Sequence, residues 1–218
     1  IGIDESGKGD YFGPLVIAAV RLDERAQVEL DRLGVRDSKQ LTDQRCKELA
    51  QLIKEKHPQS YEIVEIPPAR YNALYKQFRA EKQNLNNLLA WGHARALENL
   101  LEKAPCSYAI SDRFGDTGYI RSKLMAKGAS VQLLQEPGAE KYTAVAAASV
   151  LARDRFLFRL KALGDELGMS LPKGASPAVV ARAKEIVAAM GEEALANVAK
   201  LHFKTTDTVL GRPPRKPN

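Results

Sequence analysis

Two apolar segments of this chain end in carboxylates. IGIDE, at the amino end, closes on Asp4 and Glu5, and CSYAISD closes on Asp112. Glu140 stands immediately before an alanine-rich stretch. Carboxylates gathered at the ends of neighbouring buried strands repel one another, and they are costly to desolvate unless paired or bound to a cation. Such a cluster invites a hard divalent ion, Mg²⁺ or Mn²⁺. These ions take oxygen ligands, and magnesium usually takes few carboxylates, with water and phosphate oxygens completing its shell. Two such ions about 3.5–4 Å apart form a clamp for phosphodiester cleavage, one activating water and the other stabilising the leaving oxygen. Strand geometry sets a condition. Consecutive residues point to opposite faces, so Asp4 and Glu5 share one site only if the strand ends there, and Ser6-Gly7 offers that break. Taken alone, the pair also fits a plain strand end facing solvent.

The next residues read GKGDYFG, from Gly7 to Gly13. This is GxGxxxG leading into a proline and a strand. It is neither the GxGxxG that opens a helix in dinucleotide folds nor a GxxxxGK[ST] phosphate loop. Glycines permit close approach of backbone to a ligand, so these amides and Lys8 could meet a sugar-phosphate strand. An ordinary hairpin turn is the alternative.

The positioning elements follow from periodicity. IGIDE and PLVIAAVRL are strands joined by Gly7–Gly13, the second buried on both faces. Residues 23–40 form polar loop or short helix. Residues 42–57 read as a helix capped by Thr42, and SYEIVEI is a third strand, stopped by Pro67-Pro68. A short helix follows around ARYNALYKQF. Residues 84–103 form a long amphipathic helix that contains Trp91, assigned to core or interface. CSYAISD and SVQLLQ supply strands four and five, with helical GYIRSKLMAKG between them. An alanine-rich helix over 141–163 carries small residues that allow close approach to the sheet. Another helix starts at Ser176-Pro177 and stops at Gly191. Five strands with alternating helices predict a mixed α/β sheet flanked by helices.

Composition narrows the partners. Among 218 residues, 33 Lys+Arg against 27 Asp+Glu leave a net charge of +6, which favours a polyanion such as nucleic acid. Cys46 and Cys106 lie far apart with no CxxC pair, so a zinc cluster is not expected, and a reducing compartment, the cytoplasm, is. His57, His93 and His202 show no metal-ligand spacing and are assigned structural or surface roles. No stretch is apolar enough to span a bilayer, and the start lacks a secretory pattern.

With these residues in view, the sequence resembles the type 2 ribonuclease H family, and most closely its bacterial ribonuclease HIII branch. The resemblance rests on IDESGKGDYFGPLVIAAV (3–20), RDSKQL (36–41), ISDRF (110–114), GAEKYTAVAAASVLARDRF (138–156) and HFKTT (202–206). Ribonuclease HII enzymes carry an arginine between the glycines. Lys8 followed by DYFGP matches the HIII branch. The resemblance implies an RNase H-like fold: a five-stranded mixed sheet with helices on both sides and a helical C-terminal part. It implies one catalytic domain over 1–218, with a core to about 165, helices over about 166–211 and a basic tail at 212–218. The N-terminal domain resembling the TATA-binding protein, which HIII enzymes carry, falls outside this chain.

Residue by residue, the resemblance implies Asp4, Glu5, Asp112 and Glu140 as the catalytic, metal-holding acids for two Mg²⁺ or Mn²⁺ ions. Glu140 matches less closely, since HII enzymes place an Asp in that neighbourhood. Ser6, Gly7, Lys8 and Gly9 match the loop that meets the ribose-phosphate backbone, where 2′-hydroxyls distinguish RNA from DNA. Lys39, Ser149, Arg153 and Lys204 are candidates for phosphate contact, each weighed against a surface or packing role. The implied reaction is endonucleolytic hydrolysis of the RNA strand of an RNA/DNA hybrid, leaving 5′-phosphate and 3′-hydroxyl ends. The expected protein is a monomer without membrane attachment or organic cofactor. Two rivals remain: ribonuclease HII-like incision at single ribonucleotides in DNA, and a non-catalytic hybrid-binding module. A nucleotide-binding oxidoreductase is disfavoured because no helix follows the glycines.

Overall fold

The computed structural model describes residues 1–114 and 118–213, so residues 214–218 of the expected basic tail lie outside the described residues. The chain divides into two compact units. One comprises Ile1–Ser6, Val16–Val64 and the described residues of Gln83–Arg155; the other comprises Gly7–Leu15, Glu65–Lys82 and the described residues from Phe156 onward.

The first unit is built on a five-stranded sheet with strands β1 (Gly2–Ser6), β2 (Leu15–Val20), β3 (Tyr61–Ile66), β4 (Tyr108–Asp112) and β5 (Gln132–Glu136), in the order β3-β2-β1-β4-β5. The hairpin partner β2 runs antiparallel to β1, with Asp4 opposite Ala18 and Glu5 opposite Ile17. On its other side β1 runs parallel to β4, pairing Gly2 with Ile110 and Ile3 with Ser111. β5 is parallel to β4, with Asp112 opposite Glu136. The sheet is therefore mixed, as the sequence predicts. Every residue of β2 is buried, in keeping with its unbroken apolar run.

Helices cover both faces of the central strand. The long helix α4 (Leu85–Lys103) turns Leu88, Leu89, Leu97 and Leu100 inward and lies against β1. Asn84 caps it, accepting from the N–H groups of Asn86 and Asn87. Across the sheet comes the start of α7 (Thr143–Leu167). A Cβ on Gly2 would lie 2.2 Å from the Ala144 carbonyl carbon and the Val145 nitrogen, so helix and strand meet with no room for a side chain. Helix α1 (Glu24–Arg32) forms within the polar 23–40 segment, capped by Asp23. Helix α2 (Asp43–Lys56) has the expected Thr42 cap, a 3.1 Å bond from the Arg45 N–H, worth about 1 kcal/mol. The segment read as helical GYIRSKLMAKG is two single turns, α5 (Gly118–Arg121) and α6 (Ala126–Ala129). The Glu98 carboxylate accepts the N–H groups of Met125 and Gly128 at the start of the second turn.

The second unit contains α3 (Pro68–Ala80), the later part of α7, and then α8 (Pro177–Met190), α9 (Leu195–Val198) and α10 (Lys204–Val209). Asn72 of α3 donates to the carbonyls of Ala196 and Ala199 and accepts the Leu201 N–H. The Gly7–Pro14 loop is fastened here. The Gly13 N–H donates to the Val198 carbonyl, the Lys200 N–H to the Tyr11 carbonyl and the Tyr11 N–H to the Gly174 carbonyl. Lys200 is fully buried, and its ammonium donates to the carbonyls of Phe12, Gly13 and Pro14 at 3.3, 2.6 and 3.4 Å. Burial pushes that ammonium down to about 7, while the charge of Asp10 acts in the opposite direction. No helix among the described residues is long and apolar enough to cross a membrane. Both cysteines are free, and burial pushes the Cys46 thiol up to about 11.

The two outer glycines of GKG differ. Gly7 has φ +89°, and a Cβ there would stand 2.2 Å from the Pro14 carbonyl oxygen and 2.9 Å from the Phe156 ring; a Cβ on Gly9 would have no neighbour within 4 Å. Gly7→Ala is expected to cost about 2–4 kcal/mol through backbone strain and overpacking, whereas Gly9→Ala stays within about 0.5 kcal/mol of the parent. Urea unfolding of both variants checks this, and equal losses would contradict it.

Candidate active site

Asp4 sits in the carboxyl half of β1, two residues before its last residue Ser6, toward the side where parallel α/β sheets commonly hold ligands. Its Oδ1 accepts the backbone N–H of Glu5 at 2.9 Å. Burial holds its carboxyl well above the ordinary range, the Glu5 charge adds to this, and the Lys39 charge opposes it. One step beyond the pairing of Ile3 with Ser111, the register sets Asp4 beside Asp112, with strand axes about 4.8 Å apart. Asp112 Oδ1 accepts the Gly138 N–H at 3.0 Å. That bond ties the turn Ala139–Lys141, which carries half-buried Glu140, to the end of β4.

The condition on Asp4 and Glu5 is met differently from the expectation. The strand does not stop between them: β1 continues to Ser6, which pairs with Val16, and the break comes at Gly7. Alternation therefore sends Asp4 to the Gly2 face, toward α7, and Glu5 to the Ile3 face, toward α4. There, His93 Nε2 stands 3.0 Å from Glu5 Oε2. The two acids nonetheless feel each other's charge, as the raised Asp4 shows.

Three of the expected phosphate contacts lie around the short turn Ser38–Gln40. Asp37 caps it by accepting the Lys39 N–H. Ser149 is buried, and its hydroxyl accepts the Ser38 N–H at 2.8 Å. Arg153 donates to the Ser38 carbonyl at 2.8 Å and to Asp43 at 2.6 Å. Ser149 and Arg153 thus hold the turn, while exposed Lys39 projects its charge toward Asp4. Gly7, Lys8, Gly9 and Lys204 belong to the second unit, where Lys204 is exposed at the first position of α10.

The sequence reading passed over several residues. His93 was assigned a structural or surface role; its signal was its place among Leu89, Ala90 and Leu97 on the apolar stripe of α4. Glu136 lies one residue beyond the predicted end of strand five and belongs to β5. It lines up beside Asp112, but an ion pair with Lys141 at 2.8 Å holds its carboxyl below the ordinary range. Asp116, four residues after Asp112, lies outside the described residues.

Among the described residues, no three His, Cys, Asp or Glu side chains stand close enough to enclose a metal by themselves. An oxygen-seeking ion that brings water and phosphate oxygens needs only one or two carboxylates. The raised Asp4, next to a second acid, is a group that a cation would relieve.

Comparison with known proteins decides the family. A sequence model described as Ribonuclease HII matches residues 1–206. The chain belongs to the ribonuclease HII family. Among its curated relatives, the Ribonuclease HIII of Protochlamydia amoebophila is 46% identical over 97% of this chain and 68% of its own. That of Chlamydia pneumoniae is 43% identical over 96% of this chain and 69% of its own. The crystal structure of Bst-RNase HIII in complex with Mn²⁺ superposes with a TM-score of 0.84 at 35% identity, covering 96% of this chain and 68% of that one. The fold is therefore RNase H-like, and this ribonuclease HII family member spans about two thirds of the length of the HIII relatives it matches.

In the folded protein Asp4 keeps its proton to a higher pH than in the unfolded chain. Stability therefore falls as pH rises from the ordinary carboxyl range through the folded value. Asp4→Asn keeps an oxygen for the Glu5 N–H and removes that loss. The melting temperature of the variant is expected to exceed the parent's at pH 8 without metal, by a margin that shrinks toward pH 4. A margin independent of pH would contradict the assignment.

Proposed function

We infer that this chain is an endoribonuclease hydrolysing the RNA strand of RNA/DNA hybrids, with Asp4, Glu5 and Asp112 as its central acids. The observation that carries the reading is the pair of acids toward the ends of parallel β1 and β4, one of them with its carboxyl raised above the ordinary range by burial, in a chain 46% identical to a Ribonuclease HIII. Asp4 and Asp112 offer carboxylate oxygens on one face of the strand ends, and Glu5 adds its charge from the neighbouring position. Glu140 is the candidate fourth acid. These acids would hold two Mg²⁺ or Mn²⁺ ions, which would supply the charge that activates water and stabilises the leaving oxygen, so that hydrolysis would leave 5′-phosphate and 3′-hydroxyl ends.

The chain's own residues do the rest. Lys39 offers an exposed cation beside Asp4 for a phosphate, on a turn kept rigid by Ser149 and Arg153. The Gly7-Lys8-Gly9 backbone is the proposed ribose-phosphate contact, with Lys204 a further phosphate partner. Gly9 supports this, since nothing within the protein requires glycine there. A monomeric, cytoplasmic enzyme without an organic cofactor completes the reading; the two free cysteines accord with a reducing compartment.

Cleavage of a labelled RNA/DNA hybrid with Mg²⁺, Mn²⁺ or EDTA tests it. Cutting of the RNA strand requires the metal, and kcat falls by roughly a hundredfold or more in Asp4→Asn and Asp112→Asn. Glu140→Gln and Asp116→Asn, run together, identify the fourth acid by which of them loses activity. Gly9→Ala raises KM for the hybrid while leaving the fold intact. Metal-independent cutting, or full activity in Asp4→Asn, would sink the reading. Faster incision of duplex DNA with one embedded ribonucleotide would favour the HII-like rival.

A further inference from the structure

Glu5 is held by a histidine that the reaction does not otherwise use. His93 is fully buried in α4, surrounded by leucines and alanines. Its Nε2 lies 3.0 Å from Glu5 Oε2, its Nδ1 lies 3.1 Å from Ser111 Oγ, and the Phe114 ring packs on it at 4.9 Å between centroids. Ser111 Oγ also lies 3.0 Å from the Asp112 carbonyl. Residues on both sides of His93 thus belong to the strand ends that carry the acids: Glu5 on β1, and Ser111, next to Asp112, on β4.

Glu5 as a carboxylate only accepts, so Nε2 carries the hydrogen and donates. Nδ1 faces the Ser111 hydroxyl, whose single hydrogen serves either that nitrogen or the Asp112 carbonyl. This is the arrangement in which outer partners fix the orientation of a metal-binding side chain. Glu has three rotatable bonds, and strand alternation turns Glu5 away from Asp4 and toward α4, where His93 supplies a donor for Oε2.

We propose that His93, oriented by Ser111, is a positioning residue that sets the Glu5 carboxylate for cation binding and so for hydrolysis. The proposal rests on the reading of Glu5 as a catalytic acid. A core histidine that merely satisfies its own nitrogens would contribute to stability and nothing more.

Three substitutions separate these roles. His93→Gln can present an amide N–H near the Nε2 position, toward Glu5. His93→Asn presents one near the Nδ1 position, toward Ser111, and leaves Glu5 without its donor. His93→Leu removes both. Each is measured for melting temperature, for Mn²⁺ affinity by calorimetry without substrate, and for kcat and KM on a continuous hybrid, beside Glu5→Gln. The expected result is about a tenfold loss of Mn²⁺ affinity and of kcat in His93→Asn and His93→Leu. KM for the hybrid should not change, and His93→Gln should regain most of both losses. If His93→Leu fails to fold, the two amide variants carry the comparison. Parent-like Mn²⁺ affinity and kcat in His93→Asn, while Glu5→Gln loses both, would overturn the positioning role and leave the catalytic reading standing. If Glu5→Gln itself keeps both, the catalytic reading of Glu5 fails and the proposal with it.

Discussion

The burial of one carboxyl group toward the end of β1 organises the candidate site. Asp4 is sheltered enough that its charged form is disfavoured, and the charge of Glu5 adds to this. A buried carboxylate without full compensation is among the more costly features a fold can carry. Lys39 offsets the charge only in part, from an exposed position on a separate turn. This cost accords with the proposed cation site, because a divalent cation would favour the charged carboxylate.

The surrounding elements are shaped by the same demand. Gly2 lets α7 touch β1 two residues before Asp4, which closes that face of the strand without a side chain. The opposite face receives Glu5, and α4 answers it with His93 in place of another leucine. At β4 the Gly138 N–H fixes Asp112 and draws in the turn carrying Glu140. Ser149 and Arg153 stabilise the turn that presents Lys39. In the other unit, the buried ammonium of Lys200 gathers three consecutive carbonyls of the Phe12–Pro14 segment. The loop that follows the acids in sequence is thus held at its far end by the hydrogen bonds of a buried lysine, as the acids are held by strands.

Much of this was legible in the residues. The unbroken apolar run of β2, the alternation in β3 and the Thr42 cap announced their elements because each depends on near neighbours in sequence. The family motifs pointed to the acids proposed for the site. Harder to read were features set by residues far apart in the chain. Whether β1 stops after Asp4 or after Ser6 depends on the pairing of Ser6 with Val16 and on the Pro14 carbonyl behind Gly7, which local pattern does not reveal. His93 looked like a core histidine because it is one; only its partner 88 residues away makes it more. Ser149 and Arg153 were read toward phosphate because their types suit it, yet their hydrogen bonds go to a turn more than a hundred residues earlier. The short α9 and α10 turns carry no periodicity of their own and form against α3 and α8.

The central claim is that Asp4 is held at a cost which a divalent cation relieves. Calorimetric titration of Mn²⁺ into the parent protein and into Asp4→Asn, without nucleic acid, tests it most directly. The account predicts saturable binding in the parent, weakened at least about tenfold in the variant. Equal affinity in the two proteins would contradict it, because the carboxyl toward the end of β1 would then be no part of the cation's site.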